Sequence, residues 1–147
     1  MAGQKKGYSL VELIVVVLIV GALTFIAVPR LNFAALYRKQ AHTVAKKIIT
    51  DLRRTRTLAI SNAAANPTGY TLRISGSTCL IINDANGATV DSLAIDSHIS
   101  CGGGTEFRFG PLGNLRTAGS PLTVSAEGET YTITVIPGTG IVECTGG

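Results

Sequence analysis

The sequence predicts an α+β protein in which a long N-terminal helix packs against an antiparallel β-sheet head. Three observations predict this class: an unbroken apolar run opens the chain, an amphipathic helical pattern follows, and short alternating segments between turn residues occupy the rest. The chain has 147 residues, of which 46% are hydrophobic and 15% are charged. Disordered chains are polar and charged, so this composition excludes intrinsic disorder, and the length allows one small domain with an appendage.

The patterns divide the chain into four segments. Residues 1–7 are a short basic leader, 8–29 an apolar helix, 30–66 an amphipathic helix and 67–147 a β-rich globular head. The apolar run of residues 8–28 has the length that a helix needs to cross a bilayer, which is about 20 residues. We therefore expect the second segment to be a transmembrane helix.

One acid interrupts this apolar run. Glu12 would lie near the start of the helix, where a carboxylate in hydrocarbon costs about 2.5–3.5 kcal/mol. Two interpretations stay open: its side chain reaches the lipid head groups, or it pairs with a cation from another copy. Cleavage after Gly7 would give Tyr8 a free α-amine one helical turn from Glu12. Gly21 and Pro29 weaken the later part of the helix, which either melts there or bends mildly at the proline.

Residues 31–62 continue with helical spacing and contain no proline or glycine. Apolar side chains recur every three or four positions, which predicts one buried stripe. The stripe consists of Tyr37, Ala41, Val44, Ala45, Ile48, Leu52, Thr55 and Ala59.

Charge is segregated along the chain. Residues 30–62 carry eight basic residues and one acid, whereas residues 63–147 carry three basic and seven acidic residues. The basic helix face has three interpretations: it is solvated, it meets acidic heads of neighbouring copies, or it binds nucleic acid. No known DNA-reading motif is present, so nucleic acid is the least favoured partner.

From residue 67 onward the period changes to that of β-strands. Turn residues separate six predicted strands, which form an antiparallel sheet or a pair of sheets on the apolar stripe. The predicted strands are 69–74, 79–84, 106–109, 122–126, 131–136 and 140–144.

The rest of the sequence contains no recognisable catalytic or metal-binding motif. Cys79, Cys101 and Cys144 allow three single disulfides, of which we favour Cys101–Cys144; the alternative is three small buried thiols. Residues 83–87 resemble part of a calcium loop but lack its distal carboxylate, which favours a hairpin turn. No acid–base pair or cluster of metal ligands stands out. We therefore expect no catalytic residue, no metal, no cofactor and no enzymatic activity.

The segment GYSLVELIVVVLIVGALTFIAVP resembles the N-terminus of type IV pilins and type II secretion pseudopilins. The matching elements are a basic leader that ends at Gly7, the aromatic Tyr8, the acid Glu12 and Pro29 at the end of the apolar run. The later segments DLRRTRTLAISN, FRFGPLGNLRTAGSPLTV and YTITVIPGTGIVEC are similar to H-type minor pseudopilins and related minor pilins.

This resemblance implies a processing and assembly route. A prepilin peptidase would cut between Gly7 and Tyr8 and methylate the new amine of Tyr8, and Glu12 would aid assembly into a helical filament. The helix melts in the region of Gly21 to Pro29 in related filaments. The implied location is the bacterial inner membrane, in a single pass with a cytoplasmic N-terminus and a periplasmic head, and the filament would lie in the periplasm or at the cell surface.

The same resemblance implies a structural function. The chain would be a subunit of a type II secretion pseudopilus or a pilus-like filament that supports protein secretion. Its partners would be copies of itself or other pseudopilins, the peptidase, an inner-membrane platform and an assembly ATPase. The alternative is a minor pilin at a pilus tip in DNA uptake or adhesion. Family members that bind DNA carry arginines near the final hairpin, whereas residues 138–143 contain an acid and no arginine.

Overall fold

The computed structural model describes residues 9–27, 33–117 and 121–146. In this part of the chain two helices precede eight strands, and two compact units divide between Phe33 and Ala34. The elements are α1 (Leu10–Ala27), α2 (Phe33–Ser61), β1 (Tyr70–Ser75), β2 (Thr78–Asn83), β3 (Thr89–Ala94), β4 (Ser100–Gly103), β5 (Glu106–Phe109), β6 (Leu122–Ala126), β7 (Glu129–Val135) and β8 (Val142–Gly146).

The α+β class is confirmed, but the predicted single long N-terminal helix is not. Among the described residues there are two helices, α1 with 18 residues in the first unit and α2 with 29 residues, almost all of them in the second. The predicted amphipathic helix corresponds to α2, which begins at Phe33 and ends at Ser61.

The transmembrane prediction is wrong. Across residues 9–27, 33–117 and 121–146, neither helix meets the combined requirement of length and apolar character for a membrane span. The transmembrane assignment of residues 8–29 is therefore corrected, and so is the single-pass inner-membrane location that the resemblance implied.

The predicted apolar stripe of α2 is buried in the core of the second unit. Its six central members are buried, and Tyr37 and Val44 pack partly buried against the same core. Large side chains of both sheets complete this core, notably Phe107 and Phe109 of β5 and Ile133 of β7, each at most 1% exposed. The α2 members are Ala41, Ala45, Ile48, Leu52, Thr55 and Ala59.

The strands form two four-stranded antiparallel sheets. Sheet A has the order β3-β2-β1-β5 and sheet B the order β4-β6-β7-β8. The prediction left open one sheet or two, and the structure has two. All six predicted strands are present with small shifts in their bounds, and β3 and β4 were not predicted.

A buried asparagine joins the end of α2 to sheet A. The side-chain amide nitrogen of Asn66 donates to the Gly69 carbonyl at 2.6 Å and to Asn83 Oδ1 at 2.7 Å. Its Oδ1 accepts from the Gly69 backbone N–H at 3.1 Å and from Thr68. Asn66 is 3% exposed, so these bonds satisfy a polar group that would otherwise be costly to bury. They set where the chain leaves the helix and enters β1.

The last turns of α2 meet two loops that both contain glycine. Arg56 Nε donates to the Gly113 carbonyl at 3.1 Å. Gly140, in the β7–β8 turn, has a φ of +67°, and a Cβ atom there would lie 2.1 Å from the Gly113 carbonyl oxygen. Glycine is thus required at Gly140 by both its backbone conformation and the close approach of the other loop.

This requirement predicts that substitution by alanine has a large effect at one glycine of the turn and a small effect at another. Gly140→Ala should lower the free energy of unfolding by more than about 2 kcal/mol, because it adds left-handed strain and a steric clash. Gly138→Ala is the matched control, since its Cβ would meet nothing within 4 Å and its φ is not positive; its effect should stay within about 0.5 kcal/mol. Urea denaturation checks both, and equal effects would contradict the close packing of the two loops.

Candidate assembly surface

The described part of α1 exposes apolar side chains on all of its faces. From Leu10 to Phe25 each side chain is exposed, and the large apolar ones range from 48% for Val15 to 87% for Phe25. A helix that is apolar on all sides is normally buried among other apolar groups. The surface of α1 is therefore the main candidate for contact with another molecule.

Glu12 lies in the first turn of α1 and is the one charged residue of that helix. Ser9 precedes the helix, and its carbonyl accepts from the Leu13 backbone N–H at 3.1 Å. Serine at the N-cap followed three residues later by glutamate is the spacing of a capping box, and an acid there also complements the helix dipole. The sequence shows this spacing directly as S-L-V-E, and it adds a candidate role for Glu12 within its own helix that the two earlier interpretations did not include.

Several predicted site residues lie outside the described residues. Gly7 and Tyr8, at the predicted cleavage and methylation site, and Pro29 belong to this group. Gly21, the other residue of the predicted melting segment, lies within α1, where a Cβ would meet nothing within 4 Å.

The basic residues of α2 divide into two groups. Arg54 pairs with Asp91 of β3, and Arg38 and Arg56 donate to backbone carbonyls of other loops. Lys39, Lys46, Lys47 and Arg53 are exposed and form no ion pair within the part of the chain that the structure describes. The second group leaves positive charge on the surface opposite the buried stripe.

An open groove of about 540 Å³ runs between α2 and the β2–β3 edge of sheet A. Lys46, Lys47 and Asp51 line its helix side, and Cys79 of β2 and Asp91 of β3 line its sheet side. Burial raises the pKa of the Cys79 thiol to about 12, and the nearby charges of Asp51 and Cys101 add to this effect. A protonated, buried thiol is a poor nucleophile, so the groove offers ionic and hydrogen-bonding contacts rather than a reactive sulfur.

The favoured Cys101–Cys144 disulfide is not formed. The three cysteines are free: Cys79 is buried, Cys101 half-buried and Cys144 exposed. Cys101 lies on β4 and Cys144 on β8, which are the opposite edges of sheet B, with β6 and β7 between them. Strands are spaced about 4.8 Å apart, so about 14 Å separates the two edges, far more than the 7 Å limit between the Cα atoms of a disulfide.

The segment that resembles a calcium loop is the turn between β2 and β3. Asn83 Oδ1 accepts from the Ala85 backbone N–H and Asn86 Oδ1 from that of Ala88, both at 2.9 Å. These side-chain oxygens therefore hold the turn itself, as expected for a turn of asparagines. Among the residues that the structure describes, no three His, Cys, Asp or Glu side chains are grouped closely enough to hold a metal ion.

Comparisons of the chain with known proteins found no match. No family model matches it, no curated protein matches it, and no solved structure matches its fold. Any functional conclusion must therefore come from the residues themselves and from the resemblance of the N-terminal segment.

The environments of the cysteines predict different reactivities. In the folded protein, Cys144 should be alkylated at least about 100-fold faster than Cys79, because Cys79 is buried and its pKa is raised. Mass spectrometry of peptides after a short exposure to iodoacetamide measures both rates, and alkylation in urea provides the control in which all three thiols react. Recovery of a peptide that links Cys101 to Cys144 would contradict the observed strand order.

A second prediction concerns Asp51, whose pKa is raised by burial and by the nearby carboxylate of Asp91, against the opposing charges of Arg54 and Lys47. The folded protein then holds this proton more tightly than the unfolded chain does, so stability falls as the pH rises through the raised pKa. Asp51→Asn should unfold at higher urea concentration than the wild type at about pH 7, and this difference should shrink as the pH falls through the raised pKa and vanish below about pH 4. A variant that is less stable than the wild type at neutral pH would contradict the cost of charging Asp51.

Proposed function

We propose that the chain is a structural subunit of a filament of the type IV pilin and type II secretion pseudopilin kind. The observation that carries the proposal is the apolar surface of α1, exposed from Leu10 to Phe25. Isolated soluble proteins rarely expose apolar patches of more than a few hundred Å². Packing α1 among the α1 helices of other copies would remove this surface from water, which stabilises association by about 25 cal/mol per Å² buried.

Glu12 would give this packing a specific polar contact. Once α1 is surrounded by apolar helices, its carboxylate would be removed from water, and a buried charge is stable only when it is paired. The resemblance of the N-terminal segment supports the partner: the α-amine of Tyr8 from a neighbouring copy, freed by cleavage after Gly7. The expectation of one long N-terminal helix in the assembled subunit also belongs to this proposal.

The proposed partners follow from the same resemblance. They are copies of this chain or related pseudopilins, a peptidase that removes residues 1–7 and methylates Tyr8, and an ATPase-driven assembly system. In this proposal the filament supports protein secretion, and the chain itself carries out no catalysis. Its contribution is a surface that polymerises and a head that determines what the filament displays.

The two roles of Glu12 can be separated by substitution. Glutamine can replace glutamate in a capping box but carries no charge. If assembly needs the charge pair, Glu12→Gln and Glu12→Ala should both reduce the number of filaments at least about tenfold, because removing one partner of a buried pair costs about 2–5 kcal/mol. Electron microscopy of sheared filaments, with mass spectrometry of the subunit's N-terminus, measures filament number, cleavage and methylation together.

Ser9→Ala is the matched control. It weakens the helix N-terminus by about 1 kcal/mol while leaving the charge of Glu12 in place. Filament number should remain close to that of the wild type. Normal filaments from Glu12→Gln would show that Glu12 acts only within its own helix, and mature protein that still begins at Met1 would overturn the proposed function.

A further inference from the structure

The exposed face of α2 carries a seven-residue repeat that is independent of its buried stripe. A basic residue followed four positions later by threonine occurs three times, and all six side chains are exposed. Seven residues advance an α-helix by about 10.5 Å in nearly two turns, so the three cations lie along one line about 21 Å long. We name Lys39, Lys46 and Arg53 the cation stripe. The full repeat is Lys39, Thr43, Lys46, Thr50, Arg53 and Thr57.

The threonine hydroxyls of this repeat are already engaged. Those of Thr43, Thr50 and Thr57 donate to the carbonyl four residues earlier, at 3.0, 2.9 and 3.0 Å. Such bonds do not strengthen a helix, and threonine is a weaker helix former than alanine. Helix stability therefore does not account for the repeat. The repeat presents three separate cations to a partner, with the short threonine side chains between them.

The second unit also exposes acids that lack an ion-pair partner. Glu127, in the β6–β7 turn, and Glu143, on β8, are exposed and form no ion pair within the described part of the chain. Glu143 lies opposite Thr134 of β7. Thr134 comes five residues after Glu129, the first residue of that strand, and Glu127 lies in the turn just before it. At about 3.4 Å per residue, Glu127 and Glu143 lie about 20 Å apart along sheet B. This separation is close to the distance of about 21 Å between Lys39 and Arg53.

We propose that the cation stripe of one copy docks on sheet B of a second copy, with Lys39 and Arg53 facing Glu127 and Glu143. This inference rests on the proposed function, because filament assembly is what brings the copies together. It adds the partner surface and the register of the contact. Opposite charges at matching intervals attract, whereas a shift along the stripe leaves the cations without partners.

Charge and spacing favour a protein partner over nucleic acid. Residues 63–147 carry seven acids and three basic residues, which repel a phosphate backbone. Duplex DNA carries one charge per about 1.7 Å of its axis, a density that three cations about 10.5 Å apart do not match. The threonine hydroxyl protons, already donated within α2, are not free to bind phosphate oxygens.

A charge swap between two full-length proteins tests the contact. One variant carries Lys39→Glu and Arg53→Glu, and the other carries Glu127→Lys and Glu143→Lys. Because all four side chains are exposed, both variants should fold, which circular dichroism checks. Each variant alone should self-associate at least about tenfold more weakly than the wild type at low salt, and an equimolar mixture should recover association. Sedimentation velocity and pull-down between differently tagged copies measure this.

The outcomes separate this inference from the proposed function. If the wild type associates and the variants do so equally well alone, or if the mixture fails to recover, the stripe contact is overturned and the filament proposal stands. If the wild type forms no assembly in its host, both fall. If the first variant instead loses binding to a 20-base-pair duplex while self-association stays normal, the stripe is a nucleic-acid surface and the proposal is wrong.

Cross-linking provides a second measurement, for which Thr145 is the anchor because it is exposed and lies two residues from Glu143, on the same face of β8. In a Cys144→Ser background that carries Thr145→Cys, Thr43→Cys and Thr57→Cys each place a second thiol four residues after a cation of the stripe. One of the two should link to the thiol at position 145 of another copy through a short bismaleimide. Leu112→Cys is the control, since Leu112 is 89% exposed and lies outside the stripe. Equal cross-linking by all three variants, or cross-links that persist without Thr145→Cys, would contradict the contact.

Discussion

The fold of the second unit depends on burying one face of α2 against two sheets. Five buried apolar residues of α2, from Ala41 to Ala59, share one core with Leu72 of sheet A and Ile133 of sheet B. An isolated helix is marginal in water, so this burial, rather than helix propensity, holds α2 in place. Because the apolar side chains occupy one face, the opposite face must remain in solvent. The cations of the stripe, Lys39, Lys46 and Arg53, lie there as a direct result of how the core is built.

Local polar contacts determine how the sheets are attached to this helix. The buried Asn66 fixes the departure of the chain into β1, and Arg56 holds the Gly113 loop against the last turns of α2. These contacts lie near the C-terminal end of the helix, whereas Arg38 near its other end bonds the β6–β7 turn at Glu127. Both ends of α2 are thus tied to strand connections, so the spacing between its exposed cations and sheet B is set by the fold.

Much of this fold could be predicted from the sequence, because periodicity reports burial directly. The stripe of α2 and six strands follow from spacings of 3.6 and 2. The strands that were missed lack that signal. β4 contains Gly102 and Gly103, which weaken strand propensity, and β3 is an edge strand with a register shift opposite Ile81 and Ile82.

Other features are not visible in a local sequence pattern. The Cys101–Cys144 bridge was predicted from positions in the sequence, but only the strand order places these thiols on opposite edges of sheet B. The transmembrane interpretation of residues 8–29 rested on the apolar run alone, and no helix among the described residues is long and apolar enough to span a membrane. By contrast, the S-L-V-E spacing at Ser9 and the repeat at Lys39 are both visible in the sequence. Neither belongs to an apolar pattern, so the periodicity of apolar residues does not indicate them.

The two surfaces proposed for assembly differ in the physical information they carry. Burial of apolar area is strong but non-directional, so a helix such as α1, apolar on every side, would associate in many rotations and offsets. Charges spaced at intervals contribute less free energy but discriminate between offsets, because each wrong offset leaves cations unpaired or places like charges together. A filament needs both strength and one repeated geometry. On this view the burial of α1 supplies most of the free energy of association. Glu12 and the cation stripe select one arrangement of the copies among those that bury α1.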